Sequence, residues 1–280
     1  MTTTVGTALE GASYKLRPHS DSPSADVQLL LGQALGRSRA WILAHPEYEL
    51  SHTERSEFET SLAAAFNGTA LPHVLGWWEF FGRRFHLDRH VLIPRPETEL
   101  MVEEALDLSF PATRILDLGT GSGCIAVTLA LELPQSRIVA SDLSWGALRV
   151  AQSNVMAHEV ERNVTLVNSD LAEAFAGPFD LICANLPYLA TDQLPHLAVA
   201  AREPIIALDG GSAGTELIHK ALDQMPGILA PAGRALLEID PDQAVGVIDQ
   251  ARLHFPSEEI RIKKDLTGRE RLLIIGSGRH

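Results

Sequence analysis

RILDLGTGSGCIA, residues 114–126, decides how the rest of the chain is read. An apolar strand runs into glycines spaced two apart, Gly119, Gly121 and Gly123, and a helix begins at about residue 122. Glycine permits a tight turn and lets a ligand approach the main chain, and open α/β sheets bind ligands beyond the carboxyl ends of their strands. C-terminal to it, strands and helices alternate. RIVASD (137–142) leads to a helix through Val150, followed by VTLVNSD (164–170) and FDLICAN (179–185). Then come PIIAL (204–208), a helix near 215–225, RALLEID (234–240), a further helix, EIRIK (259–263) and RLLIIG (271–276). That order predicts a Rossmann-like α/β fold, a mostly parallel sheet with helices on both faces. The last two strands, close in sequence, predict an antiparallel edge.

N-terminal to the glycine loop the pattern changes. Val27, Leu30, Leu31, Ala34 and Leu35 recur at helical spacing and stop near Gly36. Ser51 and Glu54 form a capping-box pattern before Phe58, Leu62, Ala65 and Phe66, a face that Asn67 and Gly68 end. Residues 1–75 therefore read as a small helical domain, 76–97 as a β-hairpin or extended connector turning at Gly82, and 98–280 as the α/β domain, with Thr98 or a neighbour capping its first helix.

The 280 residues carry a formal charge of −13 with 45% hydrophobic and 21% charged content, the balance of a globular protein. The charge argues against extensive direct binding of nucleic acid. No apolar run reaches the roughly 20 residues of a membrane span, and MTTTVGTALEG lacks a signal peptide's layout, so no membrane association and a cytoplasmic location are expected. Cys124 and Cys183 sit in apolar surroundings and read as buried thiols. RIKKDLTGRER (261–271) reads as a charged, solvated strand edge.

Acidic residues at strand ends narrow the ligand. Asp117 precedes the glycine loop, where a dinucleotide pyrophosphate would be repelled; S-adenosylmethionine carries an ammonium and a sulfonium and no phosphate. Position 124 is Cys124, where a dinucleotide loop would want glycine. Asp142 can accept hydrogen bonds from both ribose hydroxyls, and Asp170 or the backbone at Leu171 can touch the adenine. Taken singly, each acid is equally well a turn former or helix cap.

ICANLPYLA (182–190) ends a buried strand on Asn185, Leu186, Pro187 and Tyr188. The Asn185 side-chain carbonyl and the Leu186 backbone carbonyl can accept both N–H bonds of a planar NH₂ group, aiming its developing lone pair at a methyl carbon. Tyr188 can stack on the flat face, and Pro187 stiffens the loop. The ordinary alternative is a turn asparagine beside a core tyrosine.

With these residues the chain resembles the release-factor glutamine methyltransferases, the HemK/PrmC family, through LLLGQALGRSRAWILAHPEYEL, VLIPRPETEL, ILDLGTGSGCIA, the NLPY tip, ALDGG and IKKDLTGRERLL. IPRPETE (93–99) beside the glycine loop is the diagnostic part. The resemblance implies that S-adenosylmethionine, leaving as S-adenosylhomocysteine, methylates the glutamine of the Gly-Gly-Gln motif in peptide-chain release factors. It implies that Gly119, Thr120, Gly121, Ser122, Gly123, Asp142, Leu171 and Asn185 contact the cofactor, and the acids at the strand ends add Asp117 and Asp170 to that set. The substrate glutamine is implied at Asn185, Leu186, Pro187 and Tyr188, with the helical domain helping to hold the release factor; the transfer chemistry itself needs no metal, and a monomer is expected. The family's usual tip is Asn-Pro-Pro-Tyr, with Leu186 in place of the first proline, and many relatives carry a larger aromatic where Leu171 stands. Methylation of rRNA or DNA amino groups, of a ribosomal-protein glutamine, or cofactor binding without turnover remain the alternatives.

Four further features were weighed. His86 and His90 share a face only loosely, which argues against a metal pair. LDGGSAGTELI (208–218) lacks the Lys-Ser/Thr of a phosphate loop and reads as a turn. Arg95, Glu97 and Glu99 border the site or form a salt-linked connector. Trp77 and Trp78 line a groove or pack the connector.

Overall fold

The computed structural model describes residues 3–108 and 113–276. Residues 1–2, 109–112 and 277–280, which include both ends of the expected domains, lie outside the described residues. The chain divides into two compact units, Met1–Trp77 and Trp78–His280.

The first unit is helical, with α1 (Val5–Leu16), α2 (Pro23–Leu35), α3 (Arg39–Ala44), α4 (His52–Phe66) and α5 (Leu71–Leu75) around Val5, Leu16, Val27, Leu30, Leu31, Ile42, Phe58 and Leu75. Gly36 ends α2 in the left-handed conformation, φ +60°, where a Cβ would be strained. Ser51 and Glu54 cap α4 reciprocally: Ser51 N donates to Glu54 Oε2 at 2.8 Å and Glu54 N to Ser51 Oγ at 3.3 Å. Of the face expected on α4, Phe58 alone is buried, and Phe66 is exposed with its ring edge-on to His19.

β1 (Trp77–Phe80) and β2 (Arg83–His86) form a hairpin turning at Phe81 and Gly82. Both turn residues have positive φ, 51° and 69°, matching the twist of a two-residue hairpin. The helix that follows, α6 (Pro96–Leu108), starts on its proline. Thr98 is therefore not its cap: it lies inside the first turn, buried, with its hydroxyl committed elsewhere.

The elements continue as β3 (Arg114–Leu118), α7 (Cys124–Glu132), β4 (Arg137–Asp142), α8 (Trp145–Ala157), β5 (Val164–Asn168), β6 (Phe179–Ala184), α9 (Glu216–Gln224), β7 (Leu229–Glu238), α10 (Ala244–His254), β8 (Ile260–Lys264) and β9 (Glu270–Ile275). The seven-stranded sheet runs β5-β4-β3-β6-β7-β9-β8, parallel except where β9 inserts antiparallel between β7 and β8. Apolar residues alternate between its faces. Ile115, Leu181, Cys183 and Leu236 join α6 and α7 in one core, while Leu116, Ile182, Ala184 and Leu237 join α9 and α10 in the other. The strand order reverses between β3 and β6, where such sheets open a ligand crevice.

PIIAL is not a strand. Ile205–Ala207 form a 3-10 turn after Pro204, with Ile205 and Ile206 about half exposed. Hydrophobic composition alone suggested a buried strand, but the segment has no ladder partner. β8 forms the charged edge, with Lys263 Nζ 2.7 Å from Glu104 Oε2 of α6. Among the described residues no helix is long and apolar enough to cross a membrane.

Candidate active site

Register assembles the site. Leu118 pairs with Ala184, and Ala184 with Leu237. One step beyond these pairs, the glycine loop, Asn185 and Glu238 lie side by side at the carboxyl ends of three neighbouring strands. Two cavities open there. The one with the larger wall is lined by Gly119 through Ser122, Asp142, Asp170, Leu171 and the connector at His90–Leu92; the one with the smaller wall is lined by Tyr188, Leu189, Val199 and Leu208. Leu92, Arg95, Asn185, Leu186, Pro187 and Ala207 line both.

Most residues expected at the cofactor reach the larger cavity, but Asp117 and Gly123 do not. Asp117 is fully buried behind the loop, where its Oδ2 accepts the Thr120 hydroxyl at 2.6 Å, and burial pushes its carboxyl up to about 7. Gly123 (φ +80°) is the tight corner before α7, where a Cβ would stand 3.2 Å from the Ala151 Cβ of α8. Both shape the loop from behind.

The wall fits the expected cofactor. At Gly119 (φ +70°) a Cβ would stand 3.0 Å from Leu186 Cδ2 and 3.5 Å from the Asn185 carbonyl, so any side chain would fill the narrowest approach. Asp142 accepts from Gly121 N on Oδ2 at 2.9 Å and from Ser144 N on Oδ1 at 2.8 Å. Each oxygen keeps a second lone pair for a diol. Burial raises the Asp142 carboxyl, partly offset by those backbone donors. Asp170 faces the cavity and is paired with Lys220 Nζ at 2.7 Å. With Asp170 offset by Lys220, the Asp142 carboxylate is the charge in this wall that disfavours a phosphate.

At the tip, Asn185 Nδ2 donates to Thr98 Oγ1 at 2.9 Å and to Glu238 Oε2 at 3.0 Å, while the Thr98 hydroxyl donates to the same Glu238 oxygen at 2.7 Å. Among the described residues nothing donates to Asn185 Oδ1. Glu238 is 2% exposed. Burial is the main influence that brings its carboxyl up to about 6; Glu97 adds to it, while the Thr98 hydroxyl, Arg271 and Arg95 oppose it. Tyr188 is held neutral, its phenol pushed up to about 12 by burial and then by Glu238.

Two supports were not foreseen. The Gly210–Gly214 turn lies under the tip so closely that a Cβ on Gly210 would stand 2.7 Å from the Pro187 carbonyl, and one on Gly214 2.5 Å from that of Tyr188. Gln243 Nε2 also donates to the Tyr188 carbonyl at 2.8 Å. Glu203, 8% exposed, accepts from Ile93 N at 2.9 Å and pairs with Arg95. Of the connector acids, Glu99 accepts from Phe81 N at 2.7 Å and Glu97 is exposed. His90 lines the larger cavity with its Nδ1 on Asp88, whereas His86 engages Asn154 through its backbone and Trp78 lines neither cavity. Among the described residues no three His, Cys, Asp or Glu side chains converge as metal ligands, and both cysteines are buried and free.

Comparison with known proteins agrees with this geometry. Residues 7–76 match the family model "PrmC N-terminal domain" and residues 96–203 match "Methyltransferase small domain". The chain is 38% identical over 258 residues to the Release factor glutamine methyltransferase of Cereibacter sphaeroides, covering 90% of this chain and 91% of that one. It is 34% identical over 264 residues to the Release factor glutamine methyltransferase of Rhodopirellula baltica, covering 91% and 89%. A methyltransferase crystal structure from Pyrococcus furiosus superposes with a TM-score of 0.55 at 18% identity, covering 71% of this chain and 91% of that one, which shows the shared fold.

Proposed function

Because the chain belongs to the release factor glutamine methyltransferases, we propose that it methylates the side-chain amide nitrogen of the glutamine in the Gly-Gly-Gln motif of peptide-chain release factors. S-adenosylmethionine, when bound, supplies an electrophilic methyl carbon on sulfur and leaves as S-adenosylhomocysteine. Gly119, Thr120, Gly121, Ser122, Asp142, Asp170, Leu171 and Asn185 hold it along the larger cavity, with Asp117 and Gly123 setting the loop. The substrate amide enters the smaller cavity, where Tyr188 covers its flat face.

An amide nitrogen is a poor nucleophile because its lone pair is delocalised into the carbonyl. Asn185 Oδ1 and the Leu186 carbonyl accept its two hydrogens, fix the plane of the group and stabilise positive charge as the lone pair localises. Leu186 serves in place of the family's usual proline because a backbone carbonyl is common to both. The N-methylated amide is a strong acid at that moment and gives its proton to water, so no dedicated base is required.

A single observation carries this reading: the two cavities share Asn185, and its amide nitrogen is tied inward, leaving the oxygen as the unengaged end. Residues 1–75 form the part that holds the release factor, 76–97 the connector and 98–280 the transfer domain, acting as a monomer in the cytoplasm, where release factors work. Incubation with labelled S-adenosylmethionine and a release factor, its Gln→Ala variant or rRNA tests it. Label on the wild-type factor alone is expected; label on RNA, or none despite cofactor binding, would overturn it.

A further inference from the structure

A primary amide has two ends of nearly equal shape and opposite hydrogen-bonding character, so an asparagine that must present its oxygen is useful only if something fixes which end faces inward. Glu238, reached through the β6–β7 register, is placed to do this. An ionised carboxylate accepts and cannot donate. Its Oε2 already takes the Thr98 hydroxyl at 2.7 Å and Asn185 Nδ2 at 3.0 Å, and Nδ2 reaches the Thr98 oxygen at 2.9 Å. The three side chains close a triangle in which every proton is accounted for. Turning the amide over would set its oxygen against the ionised Glu238 oxygen, and Thr98 could answer it only by withdrawing its hydrogen from Glu238.

We propose that Glu238 is a positioning residue whose ionised carboxylate, with Thr98, locks Asn185 with Nδ2 inward and Oδ1 toward the substrate amide. The proposal rests on the function given above and adds to it a residue that touches neither substrate nor cofactor. Protonation reverses the lock. A neutral Glu238 carries a proton that can be donated to Asn185 Oδ1, and the inverted amide then presents an NH₂ to another NH₂. The charged groups that act on Glu238 are Arg271 on β9, Arg95 on the connector and Glu97 on α6, and Glu238 in turn acts on the Tyr188 phenol. The arginines favour the ionised form, while Glu97 and burial oppose it, and the carboxyl sits up at about 6. The active form is therefore lost as pH falls through about 6.

The test is Glu238→Leu in the full-length chain, which fills the buried space but accepts nothing, leaving the Thr98 hydroxyl free to donate to Asn185 Oδ1. With a release factor as substrate, kcat should fall on the order of 100-fold, the scale of a misaligned reacting group. Cofactor Kd and melting temperature should stay near wild type. Between pH 5 and pH 8 the wild-type rate should show an acid limb centred near 6, and the variant should be slow and flat. Thr98→Val, which removes one leg of the triangle, should give a smaller fall in kcat without a change in cofactor Kd. Wild-type kcat in Glu238→Leu, or an acid limb surviving in it, would overturn the proposal while leaving the function intact. Absence of transfer by the wild type to the release factor would instead refute the function.

Discussion

In the proposed transfer Asn185 acts through one atom, its Oδ1. On the proposed chemistry, Asn185→Ala removes an acceptor for the reacting NH₂, and kcat should fall by about 10² to 10³, the range seen when one such group is deleted. Equilibrium dialysis should show only a small loss of cofactor affinity, since Asn185 is one of several residues along that wall, and unchanged turnover would remove the role assigned to that side chain. Asp117 makes a different prediction. Its carboxyl is raised from 3.8 in the unfolded chain to about 7, so its contribution to stability is fullest below pH 3.8 and is lost as pH rises through about 7. Asp117→Asn keeps an oxygen for the Thr120 hydroxyl and removes the buried charge. Its melting temperature should exceed that of wild type by several degrees at pH 8 and by much less at pH 5, read by calorimetry. Asn185 is conspicuous in sequence because a polar residue follows an apolar strand, and Asp142 because it ends one before a helix. Glu238 is not conspicuous. A charged residue closing RALLEID has solvent as its ordinary surroundings, and only the pairing of Ala184 with Leu237 sets it beside Asn185. Thr98 was noticed for its polarity but given a local role, because its partner lies 140 positions away in the chain.

Among the elements, the glycine loop and the tip after β6 are readable because local chemistry dictates them: glycine at positive φ, proline in a stiff turn, alternating apolar residues on a two-sided sheet. What supports the tip was harder to see. LDGGSAGTELI was correctly taken as a turn, yet its reason is tertiary. Gly210 and Gly214 let two backbones meet closer than any Cβ permits. Gly214→Ala faces both strain at φ +76° and the Tyr188 carbonyl at 2.5 Å. It should lower kcat/KM for the release factor by roughly tenfold or more, since small displacements of positioning groups are costly. Gly246→Ala, in the first turn of α10 with nothing within 4 Å of the added Cβ, is the control. It should leave activity unchanged and raise stability by about 0.5–1 kcal/mol. Equal effects of the two substitutions would argue that the turn is mere connection. PIIAL failed as a strand for a complementary reason: periodicity cannot tell a short buried run from an apolar surface turn, and here Pro204 and the missing ladder decide.

Across the whole molecule, the change from helical periodicity to strand–helix alternation announced two units, and the structure divides at Trp77–Trp78. Each unit has its own buried core, and every residue lining the two cavities belongs to the second. Chemistry and recognition are therefore separable by experiment if the first unit serves to hold the protein substrate. A chain beginning at Trp78 should retain cofactor affinity, since it keeps the whole wall of the larger cavity. It should methylate saturating release factor at a kcat near that of the full chain. Its KM for the release factor should rise by at least about tenfold, equivalent to losing about 1.4 kcal/mol of binding. That pattern is the signature of removing uniform binding rather than transition-state contacts. A fall in kcat at unchanged KM, with circular dichroism confirming a folded sheet, would show instead that the helical unit shapes the reacting geometry.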